Sequence, residues 1–231
     1  MSGRNGTILV LPGGGYQLHA PHEAEPVAAW LEGLGWHARV VRYPVGVAHP
    51  APLDAVRAAI AAEKATGEGP VGVIGFSAGG HLAGHAALAP DSAPDERADF
   101  AILAYPVVSM VSDPHPRSRA VLLGEDVGDE DATAVSLESL VRPDSPPVFV
   151  WHTTGDPVVP ASHSLLLARA LADAGVAHEL HLFPGEVHGV GLAEDDPAAG
   201  WTAHAARWLE ERAAPLLPER AQGVSVPDWS V

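Results

Sequence analysis

Pro70-Val71-Gly72-Val73-Ile74-Gly75-Phe76-Ser77-Ala78-Gly79-Gly80-His81-Leu82-Ala83 decides how this chain folds. A short apolar run ends at Gly75, and a small-residue segment with helical character begins just after Ser77. Between them lies G-x-S-x-G, with its serine where the backbone must turn sharply from strand to helix. Such a turn holds the serine in a strained conformation and lifts its hydroxyl above the sheet. Glycines flank it because a Cβ at either place would collide with the turn. The following helix aims its N-terminus at the site and favours negative charge there. An ordinary glycine-rich turn has the same local sequence, so the rest of the chain must choose between the two readings.

Working outward, apolar runs alternate with helix-like segments throughout, the pattern of a mainly parallel sheet covered on both faces. Strands are expected at Thr7–Leu11, His37–Tyr43, Val71–Phe76, Phe100–Tyr105, Val148–His152 and Ala177–Phe183. Helices are expected near Glu23–Leu34, Pro52–Thr66, Ala78–Leu88, Ser162–Ala174 and Pro197–Ala213. Each strand runs into a turn-former or glycine junction, and ligands of such sheets collect beyond the strands' carboxyl ends.

The 231 residues are expected to form one α/β domain over 1–231. Residues 109–147, rich in Asp, Pro and Ser, read as a lid or a solvated connection. Residues 215–231 read as a tail packed on the surface or against a partner, anchored by Trp229.

A formal net charge of −16 with no basic run argues against nucleic acid and anionic membranes as partners. A neutral or cationic substrate suits that surface better than a polyanion. The chain has no cysteine, which excludes disulfides, thiol catalysis and cysteine-ligated metals. Val71 to Ala89 lacks formal charge over 19 residues, but its five glycines, Ser77, His81 and His85 favour a buried strand and helix over a membrane span. The N-terminal apolar run is too short for a signal-peptide core, so a cytoplasmic location is expected.

A serine hydroxyl needs a histidine base and a carboxylate that orients it. Asp156 follows the Val148–His152 run, and its plain alternative is a turn-forming Asp-Pro. Of 13 histidines, His188 alone stands in a glycine-flanked loop after the last strand. Jointly, Ser77, Asp156 and His188 in that order at strand ends favour catalysis. Ala78 and Pro12-Gly13-Gly14-Gly15-Tyr16 could supply amides to an oxyanion. The glycine triplet lacks the Gly-Lys-Ser/Thr and G-x-G-x-x-G signatures of nucleotide loops. His22-Glu23 lacks the second histidine of H-E-x-x-H, so neither metal nor other cofactor is implied, and Glu23 reads as a first-turn helix acid. Glu186 reads as a solvated loop carboxylate.

These residues carry a resemblance. Leu11-Pro12-Gly13-Gly14-Gly15-Tyr16, His22-Glu23-Ala24-Glu25-Pro26-Val27-Ala28, Gly75 through Ala83, Asp156-Pro157-Val158-Val159-Pro160 and His188-Gly189 resemble the hormone-sensitive-lipase-like branch of α/β-hydrolases. Within it, the chain is most similar to small bacterial carbohydrate acetyl esterases, of the acetyl xylan and feruloyl esterase kind. The resemblance covers about Thr7 to Arg212. It implies an α/β-hydrolase fold, minimal because the early strands of larger members are missing. It also implies Ser77 as nucleophile, Asp156 as acid, His188 as base, and Gly14, Gly15 and Ala78 as the oxyanion hole. Pro12 stands where many lipase-like members carry histidine, which implies a different pocket shape.

The expected reaction is hydrolysis of short-chain, chiefly acetyl, esters on a small molecule, by a monomer or homo-oligomer. Tyr16, His19 and the Pro44–Pro50 loop are the expected pocket wall. Two enzymatic alternatives use the same triad, an arylformamidase and a small peptidase. A peptidase of the prolyl-oligopeptidase type would carry a propeller domain, for which this length leaves no room. A ligand-binding protein on a hydrolase fold is the non-enzymatic alternative, and it predicts a broken triad.

Overall fold

A computed structural model describes residues 5–213; the expected tail at 215–231 lies outside them. Six strands form one sheet: β1 (Thr7–Leu11), β2 (His37–Val40), β3 (Val71–Phe76), β4 (Phe100–Ala104), β5 (Val148–Thr153) and β6 (His178–Phe183). Every neighbouring pair is parallel, in the order β2-β1-β3-β4-β5-β6. The helices are α1 (Glu25–Gly33), α2 (Ala51–Lys64), α3 (Ser77–Leu88), α4 (Pro116–Leu123), α5 (Asp129–Ala134), α6 (Leu137–Leu140), α7 (Ser162–Asp173) and α8 (Trp201–Ala213). Over the described residues this is an α/β-hydrolase fold with six strands.

Strand alternation divides the core in two. Leu9 and Leu11 of β1 face one side, where they pack with Val56 and Ile60 of α2, Leu82 and Ala86 of α3 and Leu167 of α7. Ile8 and Val10 face the other, with Val27 and Leu31 of α1 and Trp201, Trp208 and Leu209 of α8. Both faces are therefore covered, which is why the central strands are apolar without alternation. The uncharged Val71–Ala89 stretch divides into β3 and α3, and every residue of α3 is buried. No helix among the described residues is long and apolar enough to cross a membrane.

The chain leaves β1 for β2 on one side, then returns through α2 to β3 on the other. The strand order reverses between β1 and β3, and beyond their carboxyl ends a crevice opens. The second strand is shorter than expected. Val41 still donates to the Val10 carbonyl, but Tyr43 turns in and its hydroxyl donates to Pro12 O at 2.6 Å, beneath the glycine loop.

Residues 109–147 contain the three short helices α4, α5 and α6. Leu137 and Leu140 of α6 are buried in the core beside α3 and α7. The α4 end of the segment reaches the crevice through His115 and Arg117.

Candidate active site

Ser77 has φ +51, in the left-handed region that side chains rarely adopt. The turn is held there by close packing. A Cβ on Gly79 would stand 2.2 Å from Leu11 O, and one on Gly75 would stand 2.1 Å from Gly79 O. Both glycines are required because α3 leaves β3 too tightly for any side chain. Ser77 is only 8% exposed, with its Oγ 2.8 Å from Nε2 of His188.

His188 comes from the loop after β6, and its Nδ1 lies 2.5 Å from Oδ2 of Asp156. A carboxylate only accepts, so Nδ1 carries the proton, leaving Nε2 free to accept from the serine hydroxyl. Asp156 also keeps its role in the turn. Its Oδ1 accepts the amides of Val158 at 2.8 Å and Val159 at 3.0 Å, while His152 Nε2 lies 3.3 Å from Oδ2. Burial works against the charged carboxylate. Hydrogen bonds from His152, His188 and Val159 outweigh it and hold the Asp156 carboxyl well below the usual range. The turn-forming and histidine-orienting readings of this aspartate are both satisfied, one by each oxygen.

The loop after β1 presents backbone amides to the cleft. Among the described residues, the amides of Gly14 and Gly15 meet no protein acceptor, and Ala78 lies in the first turn of α3, where helical amides have no intrahelical partner. The Gly13 amide, by contrast, donates to Oε2 of Glu23 at 2.7 Å. Glu23 is 2% exposed, and its Oε1 accepts the Tyr105 hydroxyl at 2.7 Å. Tyr105 in turn accepts the Gly191 amide at 2.8 Å and sets its ring edge-on to His188. His22 Nε2 donates to Gly189 O at 2.6 Å. A buried carboxylate thus ties the glycine loop to the histidine loop.

Reading Glu23 as a first-turn acid missed this. It occupies a short 3-10 turn, Pro21–Glu23, and its side chain points inward. Nothing in its local sequence separates that burial from a solvated helix start.

A cleft of about 490 Å³ opens over Ser77 and His188. Gly14, Gly15, Leu18, His115, Arg117 and Val158 are among its walls. Two expected wall residues are not there. Tyr16 is fully buried, and its hydroxyl bonds Nδ1 of His81 at 2.7 Å. The reason is the backbone, since φ +61 at Tyr16 swings the ring under the loop against Tyr43 and α3. His19 packs edge-on to Tyr43, 4.6 Å between centroids, and does not line the cleft. His49 and Pro50 of the Pro44–Pro50 loop line a second cavity behind α3, away from Ser77.

The arrangement can abstract a proton from a hydroxyl and hold negative charge on backbone amides, the requirements of acyl transfer. Residues 33–215 match the model of the prolyl oligopeptidase family. The chain belongs to that family. It is 34% identical over 215 residues to endo-1,4-beta-xylanase B of Butyrivibrio fibrisolvens, covering 84% of this chain and 34% of that protein. It is 32% identical over 211 residues to an acetylxylan esterase of Xylanibacter ruminicola, covering 83% and 42%. The chain thus spans well under half the length of these two curated relatives. Among solved structures, an acetyl ester-xyloside bifunctional hydrolase from Caldicellulosiruptor lactoaceticus superposes with a TM-score of 0.85 at 39% identity, covering 91% of this chain and 84% of that one. The resemblance to carbohydrate acetyl esterases is borne out by these relatives, within the prolyl oligopeptidase family.

Proposed function

We propose that this protein is a serine carboxylesterase that hydrolyses short-chain esters, chiefly acetyl esters on carbohydrates. The observation that carries the proposal is the unbroken line from Ser77 Oγ through the His188 ring to Asp156, at 2.8 and 2.5 Å. A binding protein on this fold would have no need of it.

In the first step Ser77 Oγ attacks the ester carbonyl carbon while His188 Nε2 takes its proton. The oxyanion rests on the amides of Gly14, Gly15 and Ala78, each such donor contributing about 3–4 kcal/mol to the transition state. His188 then returns the proton to the departing alcohol, leaving an acyl group on Ser77. Water, deprotonated by His188, attacks the acyl carbon and releases the acid and free serine. Asp156 holds the imidazole in the required tautomer and offsets its charge in both steps.

The acetyl preference and the carbohydrate alcohol are supported by relatives named for acetylxylan and acetyl ester-xyloside hydrolysis. The test is turnover of 4-nitrophenyl acetate and acetylated xylo-oligosaccharides by the wild type and Ser77→Ala. The variant should lose kcat by about 10⁴-fold or more. Equal rates would overturn the proposal. Faster turnover of N-formylkynurenine or a short peptide would reassign the same site to the formamidase or peptidase alternative.

A further inference from the structure

The cleft holds one positive charge that no carboxylate among the described residues balances. Among the described residues there are eleven lysines and arginines, and ten reach a carboxylate within 4 Å. The eleventh is Arg117. In a chain of net charge −16, acidic partners are abundant, so a described arginine without one is an exception. Its place is the wall of the cleft that contains Ser77 and His188. The side chain runs beside the glycine loop, where a Cβ on Gly15 would stand 3.4 Å from its Cδ.

The local structure gives no other reason for the charge. Arg117 lies in the first turn of α4, the end of a helix where a cation is disfavoured. The ionisable neighbours do not answer it either. His115 is held below its ordinary pKa, first by burial and then by the positive fields of His188 and Arg117, which favours its neutral form. His22 is bonded to Gly189 O. Glu23, also in the cleft wall, is buried and occupied by the Gly13 amide and the Tyr105 hydroxyl. Asp156 is turned to His152 and His188.

We infer that Arg117 is a specificity residue that takes a carboxylate on the substrate, so that the enzyme prefers acidic esters to neutral ones. This rests on the esterase reading above and narrows it. A guanidinium presents a planar fork matched to a carboxylate, and pairing there would complete the one cation left open among the described residues. The carboxylate can belong to the alcohol, as in an acetylated saccharide bearing a uronic acid, or to the acyl group, as in a half-ester of a dicarboxylic acid. The overall acidity of the surface disfavours polyanions but leaves room for a single carboxylate delivered to the cleft.

Matched pairs test it: acetylated methyl glucuronoside against acetylated methyl glucoside for the alcohol side, and 4-nitrophenyl hemisuccinate against 4-nitrophenyl butyrate for the acyl side. Each is assayed with the wild type, Arg117→Met and Arg117→Lys, and the ratio of kcat/KM within a pair cancels differences in folding between variants. The wild type should favour the acidic member of one pair by about tenfold, mainly through KM. Arg117→Met should abolish that ratio and Arg117→Lys restore part of it. Raising salt to about 0.3 M should shrink it, because the pair is solvent-facing. The responding pair names the side that carries the charge. Equal ratios in the wild type and Arg117→Met overturn this inference alone. Absence of Ser77-dependent turnover of all four esters, acidic and neutral alike, overturns the esterase reading and this inference with it.

Discussion

Replacing Glu23 separates a strut of the active site from a bystander. Its carboxylate accepts two buried donors, the Gly13 amide and the Tyr105 hydroxyl, each at 2.7 Å. An acceptor-only group between two donors is fully matched. Glu23→Ala leaves both donors without an acceptor, at about 1–3 kcal/mol each. The loss is therefore roughly 2–6 kcal/mol, a large part of the 5–15 kcal/mol typical of a folded domain. Water entering the vacated space recovers some of it.

Glu23→Gln keeps one acceptor but sets an amide NH₂ against the other donor. The Tyr105 oxygen can accept from that NH₂, yet its own proton then has no acceptor, because its other partner, the Gly191 amide, is itself a donor. That variant should lose about 1–3 kcal/mol. The effect on rate follows from the neighbours of Gly13. If Gly14 and Gly15 hold the oxyanion, loosening their loop by about 1 Å should lower kcat roughly 10²-fold in Glu23→Ala. The Gln variant should lose about tenfold, with KM nearly unchanged in both. Urea unfolding at neutral pH and 4-nitrophenyl acetate kinetics give both quantities. Lower stability with kcat intact would refute the positioning role. No change in either would refute the buried geometry.

Asp156→Asn should lower kcat about 10⁴-fold with little effect on KM. If the amide oxygen keeps the Val158 and Val159 amides, its NH₂ faces His188 Nδ1, which must then accept, so Nε2 carries the proton and cannot take one from Ser77; steady-state kinetics showing less than a tenfold loss would contradict this. Acid should weaken the fold through His81, lowered by burial to about 4, and His85, lowered well below its ordinary value by burial. Both are neutral when folded and take up protons when unfolded, so their contribution is complete above about pH 6.5 and is lost progressively as pH falls below it, for His81 down to about pH 4. Urea midpoints unchanged between pH 7 and 5 would refute it.

What was legible in the sequence was whatever the backbone had to declare. Strands β1 and β4 end beside Pro12 and Pro106, which cannot continue a ladder, and the elbow shows itself because its packing admits only glycine at 75 and 79. The order of Ser77, Asp156 and His188 followed from those strand ends. Side-chain direction in loops was not legible. Tyr16 turned inward because of a positive φ that nothing in Gly13-Gly14-Gly15-Tyr16 specifies, and Glu23 was buried by partners 10 and 82 residues away. The short helices of residues 109–147 escaped for another reason. Runs of four to eight residues are too brief to show a helical period, and α6 is held by the burial of Leu137 and Leu140 against the core.

The strand order explains why loop ties matter so much here. Ser77 and the glycine loop leave adjacent strands, with Leu11 paired to Gly75, so their relation is set by the sheet itself. His188 leaves β6, three strands from β3, a separation of about 14 Å at ordinary strand spacing. Its contact with Ser77 therefore depends on a loop that must cross the sheet's end and stop in register. Thr153 donating to Val187 O, His22 bonded to Gly189 O, and Tyr105 accepting from Gly191 hold that loop on both sides of the imidazole. The last of these tyrosine bonds continues to Glu23 and from there to Gly13. The two halves of the site that the sheet does not bring together are thus joined through one buried carboxylate. For that reason, loss of Glu23 should be felt at both the glycine loop and the histidine.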